Sequence, residues 1–306
     1  MCVTGGLRGF FLTFPQIYEV LFKEAGVERD WYFFDINTED GSQAQAVRER
    51  YPFFNCGFQP LHEVERQCLT DSTQEELDFV QHQSAHRGMS FAMQWYGVHK
   101  CMRAALDAPE RYDLYVRVRA DLFVTGRLRM KDGLGTNDDS AALYAPYTAS
   151  FGGINDRFAF GGHTAMDHYA NFYGSPAYKG ANNTSLESKV EEWYQRFYNY
   201  PHHPGVHLLQ REEHGAQGKY WDMKYKPRIN GAHINSESRV LRHLFSHDLN
   251  VKVLDPEHFD GYVLQDSKGQ LRVFGPDFFA HLKKFGDYSI RPAQHSLDLL
   301  YKKKGL

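Results

Sequence analysis

Several things are scarce in this 306-residue chain, and each scarcity removes a class of protein. Four cysteines (Cys2, Cys56, Cys68 and Cys101) are few for the length, and no two stand in a C-x-x-C spacing. Neither a disulfide framework nor a structural zinc site is expected, and a reduced, cytoplasmic setting is. No apolar run reaches the roughly 20 residues that cross a bilayer, so no integral membrane segment is expected. The opening Met1-Cys2-Val3-Thr4-Gly5-Gly6 lacks a basic stretch followed by an apolar one, so no signal peptide is expected either. Charge of one sign is lacking too: 35 Lys+Arg against 38 Asp+Glu give −3, spread along the chain. Binding to a phosphate backbone needs a basic face, so nucleic acid is not an expected partner. Repeats, low-complexity tracts and Pro/Gly/Ser linkers are missing as well. The chain therefore reads as one continuous globular unit with a first half over 1–130 and a second over 131–306.

What is there reads as α/β. Cys2-Val3-Thr4 is a short buried strand running into Gly5-Gly6-Leu7-Arg8-Gly9. A helix follows, with Thr13 expected to cap it, Pro15 in the first turn, Gln16 in the capping-box position and Gly26 at its end. Trp31–Ile36 has the composition of a second strand. Residues 37–80 are read as one helix near Gln43–Arg50 and a loop around Tyr51-Pro52. Apolar residues at spacings of three and four from Phe91 to Leu106 predict a long helix over 84–108, stopped by Pro109. Tyr112–Val124 reads as one central strand with Leu114, Val116, Val118 and Ala120 on one face and Tyr115, Arg117, Arg119 and Asp121 on the other. In the second half, strands are expected at 141–147, 157–161 and 251–254. Helices are expected around Leu186–Phe197 and from Asn235-Ser236-Glu237 through Phe245. A closing hairpin is expected from Tyr262–Gln265 and Leu271–Phe274.

Ligands of open α/β sheets bind beyond the C-terminal strand ends, and three such ends carry suitable residues: Gly5–Arg8, Asp35, and Arg119–Asp121. A glycine-rich turn offers backbone N–H groups to an anion, and Arg8 adds a charged fork. Neither GxGxxG nor GxxxxGK[ST] is present, so the loop is no Rossmann fingerprint and no P-loop. Asp121 can hold a divalent cation that bridges two phosphates, with Arg117 and Arg119 neutralising the same diphosphate. The same residues also read as a buried Arg–Asp pair that satisfies itself. Asp35 reads equally as a turn or cap aspartate.

The order and spacing of these segments carry a resemblance. A strand ending in Gly-x-x-Arg is followed by Gln94-Trp95-Tyr96 and Cys101, by Tyr112-Asp-Leu-Tyr-Val-Arg-Val-Arg-Ala-Asp-Leu122, by Asn155–Gly161, and by Asn235-Ser236-Glu237. Over residues 2–265 the chain resembles the GT-A-type glycosyltransferases of bacterial and large algal virus surface polysaccharides. The resemblance implies a GT-A-like mixed sheet flanked by helices. Residues 1–130 would then bind a UDP- or GDP-linked sugar donor and 131–306 a glycan acceptor. It also implies a Mn²⁺ or Mg²⁺ ion on a DxD motif, of which Arg119-Ala120-Asp121 keeps only the last acid, and a donor contact from Asp35. His233 would complete the metal shell, and Asp156 or Glu237 would act as the base that activates the acceptor.

Two rival readings stand beside this one. A non-catalytic nucleotide- or glycan-binding module would keep the pocket without the chemistry, and a sulfotransferase would need a lysine in the N-terminal phosphate loop, where only Arg8 stands. His202, His203 and His207 lie in a Pro-rich stretch and read as solvated. Trp95, Tyr147, Trp193 and Trp221 are candidates for sugar stacking, although most such aromatics are core.

Overall fold

The protein is described here from a computed structural model. It covers residues 1–7, 10–11, 13–14, 17–18, 29–71, 85–125, 141–146, 154, 156–178, 186, 188–189, 192, 236–254 and 260–263. Its strands are β1 (Cys2–Thr4), β2 (Trp31–Asp35), β3 (Phe54–Phe58), β4 (Tyr115–Arg119), β5 (Leu122–Thr125), β6 (Ala142–Pro146), β7 (Phe158–Gly161), β8 (Asn250–Leu254) and β9 (Asp260–Val263). Its helices are α1 (Ser42–Arg50), α2 (Leu61–Asp71), α3 (Ala85–Leu106), α4 (His163–Ala170) and α5 (Ser236–Ser246).

Seven strands form one mixed sheet in the order β3-β2-β1-β4-β7-β6-β8, and β5 pairs with β9 separately. β3, β2, β1 and β4 are mutually parallel, β7 runs antiparallel to β4 and β6, and β8 runs parallel to β6. The sheet thus crosses from the first half of the chain into the second at the β4–β7 pair. β1 is buried throughout, as a central strand covered on both faces must be.

Period-two alternation assigns each strand residue to a face. On one face Val3, Trp31, Phe33, Val116, Val118, Phe158 and Phe160 pack with Phe10, Phe14, Ile17 and, from α1, Ala44 and Val47. On the other face Cys2, Tyr32, Tyr115 and Ala159 pack under α3, through Trp95, Val98 and Met102, and under α4, through Met166 and Tyr169. α2 lies against α3, and α5 lies against α4 and β8.

The structure departs from the sequence expectations at defined points. The strand expected over 112–124 breaks in two: β4 stays in the large sheet, the chain turns at Ala120-Asp121, and β5 leaves to pair with β9. The apolar alternation runs straight through the break, because Ala120 and Leu122 are both buried in the same core. Thr13 does not start its helix, since Phe10 and Phe11 are already helical. Its hydroxyl instead donates to the carbonyls of Phe10 (3.3 Å) and Ala120 (2.7 Å). β3, α2 and α4 were not expected. β9 finds its partner in β5, while residues 271–274 of the expected hairpin lie outside the described residues.

Candidate functional site at one edge of the sheet

From β1 the chain steps outward to β2 and β3, then returns to lay β4 on the opposite side of β1. The β1/β4 boundary is therefore the point where strand order reverses, and the crevice beyond its C-terminal ends is where such sheets bind ligands. Register fixes what gathers there. Thr4 lies opposite Arg119, so Gly5 follows beside Ala120, while Asp35 closes β2 on the other flank. Because β7 runs antiparallel, its entrance rather than its exit reaches the same edge, and Arg119 donates its backbone N–H to the Arg157 carbonyl at 2.8 Å. Asp35, Gly5, Asp121 and Asp156 thus succeed one another across four neighbouring strands, a span of roughly 14 Å at about 4.8 Å per strand.

Gly5 takes φ 108°, a left-handed conformation that strains any residue with a Cβ. Space is not its constraint, since the nearest atom to an added methyl would be Arg119 Cγ at 3.8 Å. Gly6 continues the turn, and the N–H of Leu7 is taken by Gln43 Oε1 at 3.2 Å. Arg8 lies outside the described residues. Asp35 is fully buried, and its carboxylate accepts from Asn37 N at 2.9 Å, Thr38 Oγ1 at 2.5 Å and Ala44 N at 3.3 Å. It ties the β2 exit to the start of α1, the work of a turn aspartate.

Arg119 and Asp121 form a two-point pair, Nε to Oδ1 at 2.6 Å and a terminal nitrogen to Oδ2 at 3.2 Å. The Asp121 side chain is 7% exposed and that of Arg119 27%, so the guanidinium is the more accessible partner. Burial works against the Arg119 charge, but Asp121 and then Asp156 more than offset it and hold its pKa above the ordinary arginine value. Arg117, one pleat deeper on the same face, is 1% exposed and lies below the crevice rather than in it. Asp156 accepts from Gln94 Nε2. Burial pushes its pKa up, yet Arg119, Arg117 and Arg157 with the Gln94 amide hold it below the usual carboxylate value. An acid held in that way is ionised at neutral pH and a poor proton acceptor.

Glu237 stands in the first turn of α5, whose far end joins β8 through a short link. A helix leading into a strand runs antiparallel to it, and β8 points the same way as β4. The α5 N-terminus therefore returns to the same sheet edge as Asp121. His233, proposed from the resemblance as a metal ligand, lies outside the described residues. Two residues named in the sequence reading were given no role at this edge: Gln94, which holds Asp156, and Thr13, which holds the Ala120 carbonyl. Nothing local marks Thr13, whose partner is 107 positions away. Gln94 stood out only as part of the Gln94-Trp95-Tyr96 run that carries the resemblance.

The implied Mn²⁺ or Mg²⁺ finds no matching donor set among the described residues, which include no group of three His, Cys, Asp or Glu side chains able to hold a metal. A hard cation needs several oxygens, and both Asp121 oxygens already face a guanidinium that repels it. A separate hollow of about 750 Å³ is lined by Asp30, Phe34, Asn55, Glu110 and Tyr112 among others, and none of the residues proposed to bind donor, metal or acceptor lines it. No protein-family model, curated protein or solved structure matches the chain.

Proposed function

We propose that the chain is a glycosyltransferase that moves a sugar from a UDP- or GDP-linked donor to a glycan hydroxyl, with the donor diphosphate seated at the β1/β4 edge. The reading is supported above all by one observation: Gly5, Arg119, Asp121 and Asp156, chosen from three separated stretches of sequence, lie at one edge of one sheet at its switch point. In the reaction the acceptor oxygen bonds to the anomeric carbon, the bond from that carbon to the β-phosphate oxygen breaks, and the nucleoside diphosphate departs. Arg119 supplies the positive charge that the departing diphosphate needs, in the planar fork that suits phosphate oxygens. The acceptor proton goes to Glu237, because Asp156 is held by Gln94 and the arginines.

Asp121→Asn tests this assignment. Removing the carboxylate releases Arg119, so UDP or GDP should bind several-fold more tightly without added metal, as read by calorimetry. If Asp121 instead carries a cation, the variant loses nucleotide affinity and all response to Mn²⁺. Glu237→Gln should lower transfer by about 10²–10⁴-fold.

A second reading is favoured by the closed Arg119–Asp121 pair: a site whose charges already satisfy one another suits a non-catalytic nucleotide- or glycan-binding module. Binding of UDP or GDP with no hydrolysis or transfer across a panel of sugar donors would select the module over the enzyme.

A further inference from the structure

Beneath that edge, on the face covered by α3 and α4, lie hydrogen-bond donors with nothing among the described residues to receive them. Arg117 is 1% exposed, and Tyr169 and Trp95 are both 0%. Nε and Nη1 of Arg117, the Tyr169 hydroxyl and the Trp95 indole nitrogen are all buried without a hydrogen-bond partner among the described residues. They come from a strand and two helices, and Tyr169 joins them. Its ring meets Trp95 edge-on at 5.2 Å, and α4, which carries it, packs on β4, which carries Arg117.

The register explains why the sheet itself gives Arg117 no acceptor. Its neighbours across the strands are Cys2 on β1 and Ala159 on β7. Asp156 contributes charge at a distance, but its carboxylate is engaged by Gln94. An arginine cannot escape by losing its proton. A buried unsatisfied donor is unfavourable, most of all when it is charged. Burial also pushes the Tyr169 phenol up to about 12, so it keeps a proton to donate.

We infer that this cluster holds a small inorganic anion, a chloride in the simplest case, between the Arg117 guanidinium and the Tyr169 hydroxyl. The lining selects an anion over water. A water molecule that accepts from Arg117 still has two protons to place, and of these side chains only the Tyr169 oxygen can take one, since the indole and guanidinium offer only donors. An anion asks for no acceptor and neutralises the buried cation.

Thermal unfolding of the intact chain in sodium chloride and in sodium gluconate at equal ionic strength tests the inference. Chloride should raise Tm in proportion to the logarithm of its concentration once that exceeds Kd, by about 4 °C at a concentration some hundredfold above its Kd. Tyr169→Phe removes one donor while keeping the ring, and should weaken the chloride response at least tenfold. Arg117→Met should abolish it. A bromide-soaked crystal should show an anomalous peak between the two side chains. Identical melting in both salts, a full chloride response in Tyr169→Phe, or water-only density at this position would overturn the inference.

Discussion

The two faces of the sheet are built on different terms. On the face under Phe10, Phe14 and α1, aromatic rings fill the space between strand and helix. Phe14 alone meets Phe10 at 5.0 Å, Trp31 at 5.0 Å, Tyr51 at 4.6 Å and Phe54 at 5.2 Å. On the face under α3, α4 and α5, apolar packing is interrupted by Arg117, Arg242 and His243, all buried. A single strand, β4, serves both, with Val116 and Val118 on one side and Arg117 and Arg119 on the other. The first face has the composition of a scaffold, and the second carries polar groups whose burial is worthwhile only if they position something. The contrast teaches where to look for chemistry: in the half of the core that is harder to stabilise.

Substitutions should break this contrast unequally. Phe14→Ala, on the aromatic face, should be the most damaging, with a loss of about 3–5 kcal/mol read from the denaturation midpoint in urea. A loss under about 1 kcal/mol would show that the aromatic cluster is not the scaffold. On the polar face, acid should act through His243. This ring is 4% exposed, and its Nε2–H donates to the His168 carbonyl at 2.8 Å. Burial, reinforced by the neighbouring His247 and His168, lowers its pKa from 6.5 to about 4. The unfolded chain therefore binds the proton first. The stability that His243 contributes is complete above about pH 6.5 and falls as the pH drops toward about 4, by about 3 kcal/mol at the limit. His243→Gln should flatten that part of the stability profile, and an unchanged acid limb would remove His243 from it.

Gly161→Ala should come next. An added Cβ would stand 2.6 Å from the Ala142 carbonyl oxygen, a backbone atom that cannot step aside, and 3.2 Å from the Ala165 Cβ. The strain should cost about 1–3 kcal/mol by thermal or urea unfolding. The smallest effect on stability should be that of Asp121→Asn, which leaves the partly exposed Arg119 guanidinium charged and without its counter-charge at the crevice and acts mainly on nucleotide affinity. If Asp121→Asn unfolds the chain while Gly161→Ala does not, the edge is a structural element rather than a binding one.

Much of the scaffold was legible because it repeats in short range. β1, β2, α3, β8 and α5 announce themselves through runs or three-and-four spacings. β3 did not, because Phe54-Asn55-Cys56-Gly57-Phe58 dilutes its apolar residues with Asn and Gly. An edge strand tolerates this, and the Phe34 ring occupies the space where a Gly57 side chain would stand. α2 buries only Val64 and Cys68, a thin stripe for a helix of 11 residues. At the candidate site the residue types were legible and their states were not. Asp121 reads both as a metal ligand and as half of a self-satisfied Arg–Asp pair, and its local sequence does not show that Arg119 engages both of its oxygens. Asp156 reads as a candidate base, and neither the Gln94 amide nor the charges of Arg117 and Arg119 that bear on it show in its local sequence. Those relations depend on strand register and on which residues the antiparallel β7 returns to the edge, and no local pattern encodes them.

The position of β1 also bears on how the chain is made. Its partners on either side, β2 and β4, begin at Trp31 and Tyr115. At roughly 5–20 residues per second, more than about 5 seconds of synthesis separate Cys2–Thr4 from the strand that completes its second side. Throughout that interval the nascent polypeptide presents an apolar ribbon with one row of bare amides, the situation that recruits holding chaperones and seeds aggregates. Yield in a cell-free extract should therefore respond to ribosome speed and added chaperone more strongly than the equilibrium stability of the finished molecule would suggest.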